Sequence, residues 1–194
     1  MTLGDEKRAL RAELVPARAR LSAADRAARS RAIADRLDLL DLFASARTLA
    51  AYAPLGAEVD CLEAARRAAA RGARVLYPRA ARGERVLAFA ACAESALVPG
   101  HLGAGEPPAS CEAVPLDEID CVLLPGVAFS TDGVRLGRGA GFYDATLARM
   151  PRAARVGLAF DLQIVPSLPR EAHDALLDAL VSEARTLRFV RDSG

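Results

Sequence analysis

The sequence predicts an α/β sandwich built on a mostly parallel sheet. Three observations lead there. Short apolar runs, several ended by Pro or Gly, recur at 48–53, 75–77, 119–124 and 156–160, as buried strands require. Between them lie segments with apolar residues at helical spacing. Strands that alternate with helices in this way form a parallel sheet with helices on its faces. At 194 residues the chain fits one domain, 1–194, and its 52% hydrophobic content is enough for a large core.

The elements follow in order. Leu3, Leu10 and Leu14 form one apolar stripe among charges, a helix that Pro16 is expected to interrupt. Ser22-Ala-Ala-Asp25 has the pattern of a helix start, and the helix runs through Ile33 and Leu37. The first strand, 48–53, ends at Pro54. A helix over 62–71 stops at Gly72, which suits a C-terminal cap. A strand at 75–77 ends at Pro78, and 86–90 reads as another. Residues 99–115 are rich in Gly and Pro and lack periodicity, so a long loop is expected. The apolar run 119–124 is a strand, 144–150 a helix and 156–160 a strand. Residues 172–180 are expected to be helical, and 187–190 an edge strand.

Composition excludes several classes. A net charge of +1 is too small for a nucleic-acid footprint. No apolar run approaches membrane-spanning length, and the charges at Asp5, Glu6, Lys7 and Arg8 argue against a secretory signal. Cys61, Cys92, Cys111 and Cys121 show no zinc or C-x-x-C spacing, so reduced thiols in a cytoplasmic protein are expected. His101 and His173 form no recognisable triad or zinc site.

Ligands of open α/β sheets sit beyond the carboxyl ends of strands. Two segments lie there: 54–60, carrying Glu58, and 125–144. The second contains Arg135-Leu-Gly-Arg-Gly-Ala-Gly-Phe-Tyr-Asp144. Alternating glycines let successive backbone N–H groups face one anion. Arginine forks such as Arg135 and Arg138 pair with phosphate oxygens, and a carboxylate such as Asp144 can hold accompanying magnesium. The segment reads as a nucleotide triphosphate cradle. It is not a Walker A loop, because no Gly-Lys-Ser/Thr ends it, and not the dinucleotide fingerprint, because Phe142 stands where the third glycine would be. Lys7 is the chain's only lysine, and Arg11 lies four residues on, along one helix face. A phosphate between the two would relieve their repulsion.

RLGRGAGFYD, preceded by Leu-Pro-Gly-Val-Ala-Phe at 124–129, resembles the signature of the 5-formyltetrahydrofolate cyclo-ligases. The resemblance continues in Lys7-Arg8-Ala9-Leu10-Arg11, Ala57-Glu58-Val59-Asp60, Gly105-Glu106-Pro107, Gln163 and His173-Asp174, in the family's order. It implies a three-layer sandwich like that of sugar-phosphate isomerases and CoA transferases. It also implies cyclisation of 5-formyltetrahydrofolate to 5,10-methenyltetrahydrofolate, with ATP giving ADP and phosphate through a phosphorylated formyl group.

By the same resemblance, ATP meets Lys7, Arg8, Ala9, Leu10 and Arg11, and also Arg135, Leu136, Gly137, Arg138, Gly139, Ala140, Gly141, Phe142 and Tyr143. Folate meets Ala53, Glu58 and 138–142. Mg2+ meets Asp144 and Asp174, and Arg138 acts on the transferring phosphoryl group. The family usually has tyrosine at Phe142. The chain is expected to be a monomer with no nucleic-acid or membrane partner. No chemical role follows for Glu106-Pro107. Two rival readings are a non-catalytic folate- or nucleotide-binding module and a nicotinamide-dependent oxidoreductase.

Overall fold

The computed structural model describes residues 2–100, 102–171 and 174–190. Helix α1 (Leu3–Ala19) opens on a capping box between Thr2 and Asp5. It continues through Pro16 instead of ending there. Proline removes one backbone bond, but Leu14 and Arg18 are both buried, and Arg18 Nη1 donates to Gly126 O at 2.9 Å. That packing holds the last turn. Helix α2 (Ala23–Leu37) starts at Ser22, whose hydroxyl accepts from Asp25 N–H as the sequence predicts. Helix α3 (Asp41–Ala44), strand β1 (Thr48–Ala50) and helix α4 (Leu62–Ala70) follow, and Gly72 lies just past the end of α4.

Strand β2 (Arg74–Arg79) runs through Pro78. Its registered pairing with β1 stops at Leu76, so the missing N–H of Pro78 has no β1 partner to disappoint. After β3 (Ala88–Ala91), the expected loop at 99–115 holds three short strands: β4 (Val98–Pro99), β5 (Gly105–Glu106) and β6 (Ala113–Val114). Then come β7 (Cys121–Leu124), β8 (Ala128–Ser130), β9 (Arg135–Leu136), α5 (Phe142–Leu147), β10 (Ala154–Leu158), β11 (Ile164–Val165), β12 (Ala179–Val181) and β13 (Thr186–Arg188).

The helix expected over 172–180 is a misreading. Ala172 and His173 lie outside the described residues, 174–178 have no helical turn, and 179–181 are strand. Ala179, Leu180 and Val181 are fully buried beside β10. A strand apolar on both faces gives no period-2 signal to oppose a helical reading.

The main sheet has the order β13-β12-β10-β7-β1-β2-β3-β6. Its five central strands, β12 to β2, are mutually parallel; β13 and β3 run antiparallel to them, and the edge strand β6 pairs antiparallel with β3. Alternation along the strands builds two apolar layers. Leu49, Leu123, Val156 and Leu158 pack with Ile33 and Leu37 of α2 and Ala64, Ala65 and Ala68 of α4. Ala50, Val122, Leu124 and Leu180 pack with Phe129, Leu147 and Met150 on the other side. The predicted three-layer arrangement is therefore present. A small sheet, β11-β8-β9, carries a third cluster in which Leu14 of α1 meets Val127, Val134 and Leu136.

This topology positions the site. From β1 the chain builds outward through β2, β3 and β6; it then returns to β7 and builds the other way. The order reverses between neighbours β1 and β7, where a crevice opens at the strand ends.

Candidate active site

A cleft of about 400 Å³ fills that crevice, within the range of small-molecule sites. The loop after β1 contributes Ala53, Leu55 and Glu58, and the loop after β7 contributes Pro125 and Gly126. Residues 135–144 form a further wall, α1 supplies Lys7 and Arg11, and Glu171 and Asp174 close the same end. The two strand-end segments picked out from the sequence are thus one site.

Arg138 joins them. Its Nε donates to Glu58 Oε1 at 3.1 Å and its Nη2 to Leu55 O at 3.1 Å. The other Glu58 oxygen accepts from Leu55 N–H at 2.9 Å. Glu58 is nearly buried, with its side chain 7% exposed, whereas the Arg138 side chain is 50% exposed. The guanidinium therefore lies over the carboxylate with its outer side open to the cleft.

Arg135 is placed differently. Its side chain is 3% exposed. Nη2 donates to Asp144 Oδ1 at 2.8 Å, Nη1 to Pro125 O at 3.3 Å, and the fork lies 5.5 Å from the Tyr143 ring centroid. It ties the start of α5 to the end of β7. Between the two arginines' walls, Gly139 (φ +105°) and Gly141 (φ +73°) adopt backbone angles that side chains disfavour. The turn needs glycine there to bring 137–141 into the cleft.

Helix α1 folds over the cleft and brings Lys7 and Arg11 into its wall. Arg11 Nε donates to Gly137 O at 2.8 Å. Lys7 Nζ bonds Glu171 Oε2 at 2.8 Å and Asp174 Oδ2 at 2.9 Å. Burial pulls the Lys7 pKa down, but these two carboxylates outweigh it and hold the ammonium above its usual value. Burial, reinforced by Glu58, pushes the Tyr143 hydroxyl up, so it stays protonated and can donate.

The remaining residues singled out by sequence divide clearly. Leu136 and 137–143 all line the cleft. Arg8, Ala9 and Leu10 are not among its described lining residues: Arg8 is exposed and pairs with Asp5, Ala9 is exposed, and Leu10 packs into the small-sheet cluster.

Sequence reasoning missed other features. Glu171 shares Lys7 with Asp174; an acid three residues before Asp174 was the only hint. Tyr52 lies in the wall, its hydroxyl donating to Val59 O at 2.8 Å. Gln163 and Arg18 are buried behind the cleft, and both donate to Gly126 O, at 3.0 Å and 2.9 Å. Gln163 lay in the family-like pattern without a role, and Arg18 resembles the solvated arginines of its helix.

The chemistry available follows from these groups. Lys7, Arg11, Arg138 and glycine amides suit phosphate oxygens. Among the described residues, no three His, Cys, Asp or Glu side chains are grouped to hold a metal alone. Asp144, Glu171 and Asp174 are oxygen donors in the cleft wall. All four cysteines are free; Cys61, pushed up to about 12 mainly by burial, and Cys121 are buried away from the cleft. Such a site favours transfer between two bound molecules over attack by a protein nucleophile. No helix among the described residues is long and apolar enough to cross a membrane.

Comparison with known proteins shows which family the chain resembles over most of its length. The model of the 5-formyltetrahydrofolate cyclo-ligase family matches residues 4–183. A 5-formyltetrahydrofolate cyclo-ligase of Mycolicibacterium smegmatis is 33% identical over 154 residues, covering 76% of this chain and 79% of that protein. The Mus musculus cyclo-ligase is 28% identical over 195 residues, covering 94% and 96%. The solution structure of Aquifex aeolicus 5,10-methenyltetrahydrofolate synthetase superposes with a TM-score of 0.83 at 29% identity, covering 97% of this chain and 95% of that one.

Proposed function

This chain belongs to the 5-formyltetrahydrofolate cyclo-ligase family, and on that premise we propose how its cleft converts 5-formyltetrahydrofolate to 5,10-methenyltetrahydrofolate with ATP. The observation that carries the proposal is the contact between Arg138 and Glu58. It puts a phosphate-type cation against a pterin-type carboxylate, so the two substrates meet at one point.

The formyl oxygen of the substrate is a poor leaving group. It attacks the γ-phosphorus of ATP, and ADP departs. The N10 lone pair then attacks the activated formyl carbon, N10 gives up its proton, and the C–O bond breaks to release phosphate. The first step needs alignment and charge stabilisation more than a nucleophilic side chain. Lys7 and Arg11 hold the ATP phosphates from α1, and the amides of 137–141 supply further donors. Arg138, open on its outer side, stabilises the transferring phosphoryl group. Glu58 accepts hydrogen bonds from pterin N–H groups, and Ala53 and Phe142 bound the ring.

A magnesium ion that arrives with a nucleotide takes only one or two protein carboxylates. The donors present fit that demand. Asp144 and Asp174 would hold the ion, which would neutralise phosphate charge. Arg135 fixes Asp144, and Lys7 fixes Asp174, before any nucleotide binds. We propose a monomer at work in the cytoplasm.

The test mixes the purified protein with 5-formyltetrahydrofolate and Mg-ATP and follows the near-ultraviolet absorbance of the methenyl bridge. The expected result is a rise that requires ATP and magnesium. Folate and ATP binding without a rise would replace catalysis with a binding role.

A further inference from the structure

Five carboxylates line the cleft: Glu58, Glu106, Asp144, Glu171 and Asp174. Four are engaged. Glu58 bonds Arg138 and Leu55 N–H, Asp144 bonds Arg135, and Glu171 and Asp174 share Lys7. The Glu106 carboxylate makes no hydrogen bond or ion pair with any described residue, yet the residue is half-buried in the cleft wall.

The backbone holds it there. Strands β4 and β5 form an arm that pairs Val98 with Glu106. The arm docks on the loop after β1: a Cβ at position 105 would lie 3.3 Å from Ala53 Cβ. The Glu106 side chain crosses the space beside Gly100, where a Cβ would sit 2.3 Å from Cδ and 2.4 Å from Oε1. Glycine at 100 therefore leaves room for the carboxylate. Partial burial with no donor is costly unless a ligand supplies one. An ATP phosphate cannot, because its charge repels a carboxylate. An N–H-bearing heterocycle can, and the arm lies against the Ala53–Glu58 side of the cleft.

We infer that Glu106 is a second folate-recognising carboxylate, accepting a hydrogen bond from an N–H group of the reduced pterin while Glu58 is shared with Arg138. This rests on the cyclo-ligase reading of the cleft. Losing a charge-assisted bond of this type lowers affinity about tenfold or more.

The experiment compares wild type, Glu106→Ala, Glu106→Gln, Gly100→Ala and, as a control, Glu112→Gln on an exposed site of the same connection. Steady-state KM values for 5-formyltetrahydrofolate and for Mg-ATP are measured, with direct titration of 5-formyltetrahydrofolate. Glu106→Ala should raise the folate KM and Kd about tenfold, leave the ATP KM unchanged and not lower the Tm of the free protein. Glu106→Gln, which keeps a neutral acceptor, should fall between. Gly100→Ala should act in the same direction by displacing the carboxylate, and Glu112→Gln should have no effect. An active wild type with unchanged folate affinity in Glu106→Ala, or equal rises in both KM values, would overturn the role of Glu106 and leave the cyclo-ligase reading standing. A wild type that does not bind 5-formyltetrahydrofolate would overturn both.

Discussion

Arg135 offers the sharpest test of how the cleft is built. Replacing it with methionine keeps much of the apolar stem and removes the guanidinium. Asp144 loses its 2.8 Å partner and Pro125 O loses a 3.3 Å donor. Breaking a buried ion pair by deleting one member costs roughly 3–5 kcal/mol. Asp144 is 26% exposed, so water repays part of the loss. A cost of about 2–3 kcal/mol is expected, or a fall in Tm of about 4–12 °C for a chain of this size.

Asp144→Ala strands a guanidinium that is only 3% exposed, so it should cost more, at the upper end of the roughly 3–5 kcal/mol range. The double variant should be much less unstable than the sum, with a coupling energy of about 1.5–3 kcal/mol. Urea denaturation of the four proteins measures this directly. A coupling below about 0.5 kcal/mol, with a raised ATP KM in Arg135→Met, would refute the argument. It would mean that Arg135 serves the nucleotide directly and does not brace Asp144.

Three further outcomes follow from the geometry. Arg138→Ala should lower kcat by about 10²–10³-fold and also lower Tm, because it takes the ion-pair partner from Glu58, which is 7% exposed and keeps the Leu55 N–H bond; near-normal turnover would remove it from the mechanism. Lys7→Met should raise the ATP KM in steady-state assays. Because the folded Lys7 pKa lies above 10.5, its stabilising contribution is full below that pH and lost as pH rises through the raised value, so the wild type and the variant should converge there in denaturation experiments. Asp161 titrates with the opposite sign: burial raises its pKa, but bonds from Arg185 and Ser182 outweigh that and hold it below 3.8. Its contribution is present above that pH and lost as pH falls through the lowered value, so acid should destabilise the wild type more steeply than Asp161→Asn.

The sequence made the central strands legible because β1, β7 and β10 are largely buried on both faces and carry continuous apolar runs, broken only near their starts by Thr48 and Arg155. The same property misled at β12, where a doubly buried strand follows alanines and leucines that also suit a helix. The arm of β4 and β5 was invisible for a different reason. Two-residue strands carry no period, and glycines that signal a loop are there to let Glu106 and the Ala53 loop approach.

The cleft shows the limit most clearly. Both strand-end loops could be found locally, but Arg138 and Glu58 stand 80 residues apart and meet only because β1 and β7 are neighbours. Three arginines around the cleft were chemically equivalent on paper. Arg135 lies on β9 and turns inward to Asp144, Arg138 lies beyond the strand and stays open, and Arg18 is buried behind Gly126 O. What separates a brace from a phosphate ligand is the group each fork faces, and that is set by tertiary packing. It follows that Arg18→Met should lower kcat only by disturbing the 125–127 loop, in step with its fall in Tm, whereas Arg138→Ala should lower kcat far beyond what its fall in Tm accounts for.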